Sequence, residues 1–227
     1  MIPLGHPSTW KATGKAPFGN FNEMIHFLDC VRQQNDDSVT LIDGLEGSGK
    51  STVLFHMANR LDKNWNPEEG LIIDYEDWEE VYELESGKVF ILDEGGDLLF
   101  SRNSQTRESK LIVRMLQMSR IYNHTLLIAA PNIHWVDLYI RGHRTLVYGH
   151  VHKRYHPGGV TRGLVSWHWP KRYFDFKNSE WVSTWDRIYD SRFSAVGNDD
   201  GRWNEYERWK RLKVQKRKSE MTERLSR

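Results

Sequence analysis

The chain has 227 residues, of which 38% are hydrophobic and 28% charged, the balance of an ordinary soluble globular protein. That length allows one sizeable core. Because no apolar run reaches the length of a membrane span and no signal-peptide pattern is visible, we expect a cytoplasmic protein, in the host cytoplasm if it is viral. A single cysteine, Cys30, excludes an internal disulfide framework.

The formal net charge of +1 at pH 7 conceals two regions of opposite sign. Residues 202–227 contain ten Lys/Arg and four Asp/Glu, whereas the rest of the chain contains 22 Lys/Arg and 27 Asp/Glu. A mildly acidic body is therefore followed by a basic tail.

The first elements are an arm and a helix. Residues 1–19 contain three prolines and several glycines without hydrophobic periodicity, which predicts an irregular arm. Asn20 and Glu23 resemble a capping box, and the following apolar residues fall on one helical face: Met24, Ile25, Leu28 and Val31.

The stretch Gly44-Leu-Glu-Gly-Ser-Gly-Lys-Ser51 is a complete P-loop motif. The β-branched and apolar run Val39–Asp43 ahead of it predicts a buried strand, and apolar residues at helical spacing predict a helix behind it. Backbone N–H groups of such a loop and the helix N-terminus bind phosphate. We therefore expect ATP to bind to Gly44, Leu45, Glu46, Gly47, Ser48, Gly49, Lys50, Ser51 and Thr52.

Two side chains of this loop have specific expected roles. Lys50 should reach the β- and γ-phosphates, and the hydroxyl of Ser51 should ligate Mg²⁺.

A second decisive stretch is Lys88-Val-Phe-Ile-Leu-Asp-Glu94, an apolar strand that ends in two carboxylates, as in a Walker B motif. Ligands bind at the carboxyl ends of strands in open α/β sheets, so Asp93 should lie beside the P-loop. We expect Asp93 to hold Mg²⁺ through water and Glu94 to polarise the water that attacks the γ-phosphate.

The next buried strand is Thr125–Ala130, and Pro131-Asn132 follows it. Asn132 could sense the γ-phosphate or orient the attacking water, or it could simply form a turn. Another strand is predicted from Thr145 to His152, so that strands and helices alternate and favour a mostly parallel sheet.

The pattern changes after Tyr155. The segments Gly163–Trp169 and Arg172–Phe176 predict a hairpin, and Trp181, Trp185, Ile188 and Tyr189 suggest a helical turn packed against it. A linker should precede a basic helix that begins near Trp203. The predicted divisions are an arm (1–19), a P-loop ATPase core (20–155), a β-rich appendage continuing the core (156–197), and a linker with the basic helix (198–227).

The overall expectation is an α/β P-loop NTPase with a mostly parallel sheet flanked by helices, a β-hairpin appendage and a C-terminal basic helix. Its motifs resemble the FtsK–HerA superfamily of P-loop ATPases, and most of all its small viral and plasmid branch of packaging ATPases and Zot-like proteins. Four stretches carry the resemblance: Gly44–Ser51, Phe90–Glu94, Leu116–Arg120 with Asn123-His124, and Leu126–Arg141.

The resemblance implies a ring of identical subunits, for example a hexamer, that couples ATP hydrolysis to DNA movement. Contacts from the basic tail to DNA phosphates would be independent of base sequence. The resemblance also implies that Arg141 or Arg120 acts as an arginine finger on a neighbouring subunit. The chain departs from the family where a glutamine usually ends the strand after Walker B, because Asn132 stands near that position. An asparagine there also resembles the sensor of AAA+ ATPases.

Other functions remain open from the sequence. A small-molecule kinase of the nucleotide type would use the arginine-rich stretch 102–114 as a lid, although adjacent Asp93 and Glu94 favour hydrolysis, since a kinase must exclude water. A non-catalytic nucleotide switch is a third reading. The basic tail itself could bind DNA phosphates, dock on a neighbouring subunit or be a solvated face.

Overall fold

The structure is a computed structural model, and it describes residues 16–73, 77, 81, 85–93, 121–175, 177, 180–196 and 200–225. The helices are α1 (Phe21–Gln33), α2 (Lys50–Leu61), α3 (Pro67–Gly70) and α4 (Gly201–Leu225), with a 3₁₀ turn at Ile133–Trp135 and a π-helix at Tyr139–Arg144. The strands are β1 (Ser38–Gly44), β2 (Leu71–Ile72), β3 (Val89–Leu92), β4 (Thr125–Ala130), β5 (Thr145–His156), β6 (Gly159–Asp175) and β7 (Glu180–Arg192).

Within these residues the seven strands form one sheet in the order β2-β3-β4-β1-β5-β6-β7. The first five strands in this order, β2, β3, β4, β1 and β5, are parallel to one another. Strand β6 pairs antiparallel with β5, and β7 pairs antiparallel with β6. The α/β fold with a mostly parallel sheet, flanking helices and a β-hairpin is therefore confirmed. The carboxyl ends of β1, β3 and β4 lie at one edge of the sheet, with β4 between the other two.

Helix α1 begins as its sequence predicts. The Asn20 side chain accepts a hydrogen bond from the Glu23 N–H at 3.0 Å, and the Glu23 carboxylate accepts one from the Gly19 N–H at 2.7 Å. The apolar face that follows is buried, and it lies against the same side of the sheet as α2.

Alternation along β1 divides the core into two layers. Ile42 faces the layer that α1, α2 and α4 cover, whereas Val39 and Leu41 face the layer beneath the 3₁₀ turn and the π-helix. All of β1 and β4 is buried, as is expected of central parallel strands.

Two predictions about the region after Tyr155 are wrong. A single strand, β6, covers Gly159–Asp175, where we expected two strands paired with each other, and its hairpin partner is β7. The aromatic residues between 181 and 189 lie in that strand rather than in a helical turn. Pro170 is tolerated because it lies beyond the last β6 residue that pairs with β5, where the strand has one neighbour.

The tryptophans of β6 belong to the core. Trp167 and Trp169 are buried, and Trp169 meets the rings of Phe18 and Phe27 edge-on at centroid distances of 5.6 and 5.7 Å. Aromatic pairs of this kind add to the hydrophobic stabilisation of the sheet. These two indoles are therefore not available for stacking on nucleic-acid bases.

Helix α4 packs against the body of the protein. Tyr206 is buried among Phe55, Trp65 and Trp203, and the Nζ of Lys213 donates to the Leu71 carbonyl at 2.6 Å. The helix thus lies along α2 and α3 with its aromatic side inward.

His124 provides a test of the β3–β4 packing. It is buried beside Phe90, and its Nδ1 accepts a hydrogen bond from the Lys88 N–H at 3.3 Å. Burial lowers its pKa from 6.5 to about 4. The neutral imidazole therefore contributes stability above pH 6.5 that is lost as the pH falls from 6.5 towards 4.

His124→Gln retains an acceptor for the Lys88 N–H but does not titrate. We expect the free energy of unfolding of the variant to fall less steeply than that of the wild type between about pH 6.5 and pH 4, as measured by urea unfolding at several pH values. Parallel pH dependences for the two proteins would show that His124 is not the buried titrating group.

Candidate nucleotide-binding site

The P-loop joins β1 to α2 at the carboxyl edge of the sheet. Gly44, Gly47 and Gly49 adopt positive φ angles of 145°, 66° and 105°, which favour glycine. At Gly44 a Cβ atom would also lie 2.4 Å from the carbonyl oxygen of Val151 on β5. The glycines therefore allow both the turn and the close approach of the neighbouring strand.

Lys50 is folded over this loop. Its Nζ donates hydrogen bonds to the carbonyl oxygens of Gly44 at 2.8 Å and Leu45 at 3.2 Å. Burial lowers the pKa of its ammonium, and the carboxylates of Asp93 and Asp43 act in the opposite direction. Backbone carbonyls therefore hold the Lys50 ammonium at the P-loop.

Asp93 follows β3 and is 2% exposed. The Nζ of Lys210, from α4, lies 2.8 Å from the Oδ2 of Asp93 and 3.3 Å from the Oγ of Ser51. One cation thus already bridges the two oxygens that the sequence assigns to magnesium. Oxygen ligands grouped around a single positive charge fit Mg²⁺, which binds to proteins through a few such groups together with water and phosphate.

A cavity of about 1120 Å³ opens in front of these residues. This volume is slightly larger than that of most small-molecule sites, which span about 300–1,000 Å³. The P-loop, the end of β4, the β5–β6 hairpin and α4 each contribute to its wall, including Lys50, Ser51, Thr52, Asp93, Pro131, Trp135, Arg162 and Lys210.

The β5–β6 hairpin supports the outer side of the P-loop. Lys153 donates to the carbonyl oxygen of Glu46 at 2.9 Å, and the Gly163 N–H donates to that of Ser48 at 3.3 Å. Gly163 itself has a φ of 76°, and a Cβ there would lie 2.3 Å from the carbonyl oxygen of Phe193. Arg162 therefore reaches the cavity from a backbone that is fixed against the loop.

Asp43 fixes the P-loop strand to its neighbours. Its carboxylate accepts hydrogen bonds from the Ile133 N–H at 2.9 Å, the Tyr148 hydroxyl at 2.8 Å and the Nδ1 of His150 at 2.6 Å. The hydrogen bond to Asp43 raises the pKa of His150, and burial raises that of Tyr148. The buried carboxylate is thus satisfied from β5 and from the end of β4.

The structure brings Lys50, Ser51 and Asp93 together at one cavity. Asn132 does not line the cavity, because its side chain caps the 3₁₀ turn by accepting from the His134 N–H at 2.8 Å. Arg141 precedes β5 at the amino-terminal edge of the sheet, opposite the P-loop of its own chain. Glu94 and Arg120 lie outside the described residues.

Several residues at the site were not predicted. Arg162, Glu207 and Lys210 line the cavity, Lys153 contacts the Glu46 carbonyl of the P-loop, and Tyr206 contacts Asp93. A signal for two of them was present, because Trp203, Tyr206 and Lys210 are spaced at three and four residues and share one helical face. On the side of α4 that faces the body, the aromatic residues Trp203 and Tyr206 are followed by Lys210. The hairpin residues had no comparable pattern.

Among the described residues, the helices lack the combination of length and apolar character that crossing a bilayer requires. No family model matches the chain, and no curated protein matches its sequence. Solved structures similar to it include the N-terminal domain of zonular occludens toxin from Neisseria meningitidis, at 17% identity and a TM-score of 0.41 over 68% of this chain and 95% of that one.

Two other solved structures are also similar to this chain. The genome packaging NTPase B204 of Sulfolobus turreted icosahedral virus 2, in complex with ATP-gammaS, aligns at 14% identity and a TM-score of 0.42 over 66% of this chain and 97% of that one. A Thermotoga maritima RuvB mutant aligns at 18% identity and 0.39 over 56% and 43%. The Zot domain and the packaging NTPase are the two kinds of protein that the sequence motifs resemble.

Proposed function

We propose that this chain hydrolyses ATP at its P-loop with Mg²⁺ and uses the energy to move or package DNA, as one subunit of a ring. The observation that supports ATP hydrolysis best is the meeting of Lys50, Ser51 and Asp93 at one cavity, with a single cation already bridging Ser51 and Asp93. Coupling to DNA rests on the likeness of the motifs to the FtsK–HerA superfamily and on the charge of α4.

Each residue of the site has a definite task in this proposal. The N–H groups of the P-loop and the start of α2 hold the β- and γ-phosphates, and Lys50 leaves the carbonyls of Gly44 and Leu45 to contact them. Ser51 and Asp93 hold Mg²⁺, which neutralises charge on the phosphates when it is bound. Glu94, next in sequence to Asp93, orients and polarises the attacking water.

The ring would place a cation from a neighbouring subunit at the γ-phosphate. Arg141 lies on the sheet edge opposite the P-loop, so it can serve a nucleotide only in another copy of the chain. Arg141 and Arg120 remain the candidates for this finger, in that order. Where arginine fingers have been measured, they contribute about 10³–10⁵ to the rate.

The outer side of α4 is the proposed DNA contact. Arg208, Arg211 and Lys218 are exposed and recur at helical spacing, away from the face that carries Tyr206 and Lys210. Positive charges in such a row can follow phosphates without reading bases.

The test of DNA binding removes charge from this side while keeping the packed face. We expect Arg208→Gln with Arg211→Gln to weaken binding to duplex DNA and to make its dependence on salt shallower, by about 0.9 in the logarithmic slope for each phosphate that the variant no longer neutralises. The measurement is DNA affinity at several salt concentrations.

A matched control removes the same charge elsewhere. Arg60→Gln with Lys63→Gln, on and just after α2, should leave the salt slope as in the wild type. An unchanged slope in the α4 variant would take this helix out of DNA binding.

A further inference from the structure

Helix α4 enters the nucleotide site itself. The hydroxyl of Tyr206 donates to the Oδ2 of Asp93 at 2.5 Å, and Lys210 lies one turn further along on the same side. Burial raises the pKa of Tyr206 well above its usual value, as does the nearby carboxylate, so its hydroxyl stays a neutral donor. Aromatic packing of Tyr206 against Phe55 fixes this part of α4 over the P-loop helix.

The ammonium of Lys210 lies where the proposed function places Mg²⁺, between Ser51 and Asp93. It contacts the Oδ2 of Asp93 and the Oγ of Ser51, and its side chain is only 17% exposed. A buried carboxylate needs an opposite charge, and Lys210 supplies it. A magnesium ion held by Ser51 and Asp93 would meet a like charge at close range.

Lys213 holds the next turn of the helix. Its Nζ donates to the Leu71 carbonyl at 2.6 Å and pairs with the carboxylate of Asp77 at 3.0 Å. The helix is therefore held to the body by Tyr206 on one side of Lys210 and by Lys213 on the other. The flexible four-carbon stem of Lys210 still allows the ammonium to leave without moving the helix.

We infer that Lys210 holds the magnesium position of this site and that Mg²⁺ and the Lys210 ammonium exclude each other there. The inference rests on the proposed function, since it concerns the same nucleotide site. When Mg²⁺ and nucleotide bind, the Lys210 ammonium leaves the Asp93 carboxylate and the Ser51 hydroxyl and turns towards solvent. Lys210 therefore sets the magnesium concentration at which the site fills.

Lys210→Met keeps the aliphatic stem and removes the competing charge. At a fixed, limiting concentration of fluorescent ADP, we expect the variant to reach half-maximal binding at about tenfold lower Mg²⁺ than the wild type, the size of one hydrogen bond to a charged group. Lys216→Met is the control, because Lys216 is exposed on the same helix and lies outside the cavity. It should match the wild type.

A second measurement uses the wild-type protein alone and so does not depend on the variant folding. Amine labelling read by mass spectrometry should show Lys210 protected with metal-free ADP and more reactive with Mg-ADP, while the reactivity of Lys216 is unchanged.

Equal magnesium requirements in Lys210→Met and the wild type, or labelling of Lys210 that Mg-ADP does not raise, would overturn the inference and leave the proposed nucleotide site intact. If the wild type binds no ADP with or without Mg²⁺, the proposed function and the inference fail together.

Discussion

Lys50→Ala should abolish detectable ATP turnover and weaken nucleotide binding at the same time. The ammonium is held at the P-loop by two backbone carbonyls, and in the proposed complex it contacts the phosphates in the ground state and in the transition state. Losing a preorganised charge of this kind lowers kcat by about 10²–10³. Affinity should fall by about tenfold or more, since the variant cannot form one charge-assisted hydrogen bond.

The measurements for this variant are the equilibrium binding of fluorescent ADP and the release of phosphate from ATP. Lys63→Ala is the control, because it removes a lysine from an exposed position just after the P-loop helix. Retention of wild-type affinity and turnover by Lys50→Ala would mean that nucleotide binds elsewhere.

Glu94→Gln should separate binding from hydrolysis. The amide cannot accept a proton from the attacking water, and a positioned general base contributes about 10²–10⁴ in rate. Neither the P-loop nor the pair Ser51 and Asp93 is changed, so ATP should still bind. We therefore expect turnover to fall by about that factor while the affinity for ATP stays close to that of the wild type.

Single-turnover hydrolysis by excess enzyme isolates the chemical step for this second variant. Asp93→Asn is a useful comparison, since it removes the charge at the magnesium site and should reduce metal-dependent binding as well. Hydrolysis by Glu94→Gln at the wild-type rate would remove Glu94 from the role of base.

The centre of the fold could be predicted because local and global signals agree there. The run before Gly44 is β-branched and apolar, the glycines fit only a tight turn, and the apolar spacing after Lys50 is helical. The strand that ends at Asp93 was equally clear. Two short motifs therefore indicate residues that line the cavity.

The contribution of α4 to the site could not be predicted, because periodicity shows which face of a helix is apolar but not which surface it covers. The high charge of α4 is typical of a helix in solvent, and its sequence does not distinguish Lys210 from the other basic residues. The role of Lys210 depends on a tertiary contact, because its ammonium lies 2.8 Å from the buried carboxylate of Asp93.

The hairpin shows a different limit. Trp181, Trp185, Ile188 and Tyr189 are spaced as on a helix, yet they lie in β7, where pairing with β6 outweighs the local pattern. Lys153 contacts the P-loop and Arg162 lines the cavity only because β5 lies next to β1 and β6 returns beside β5. Such proximity depends on sheet order, which no local signal specifies.

Steady-state release of phosphate from Mg-ATP, with and without duplex DNA, tests the central claim most directly. We predict turnover by the wild type that DNA stimulates, and none above background by Lys50→Ala under either condition. A wild-type protein that binds ATP but releases no phosphate, even with DNA present, would contradict the account and favour a nucleotide switch.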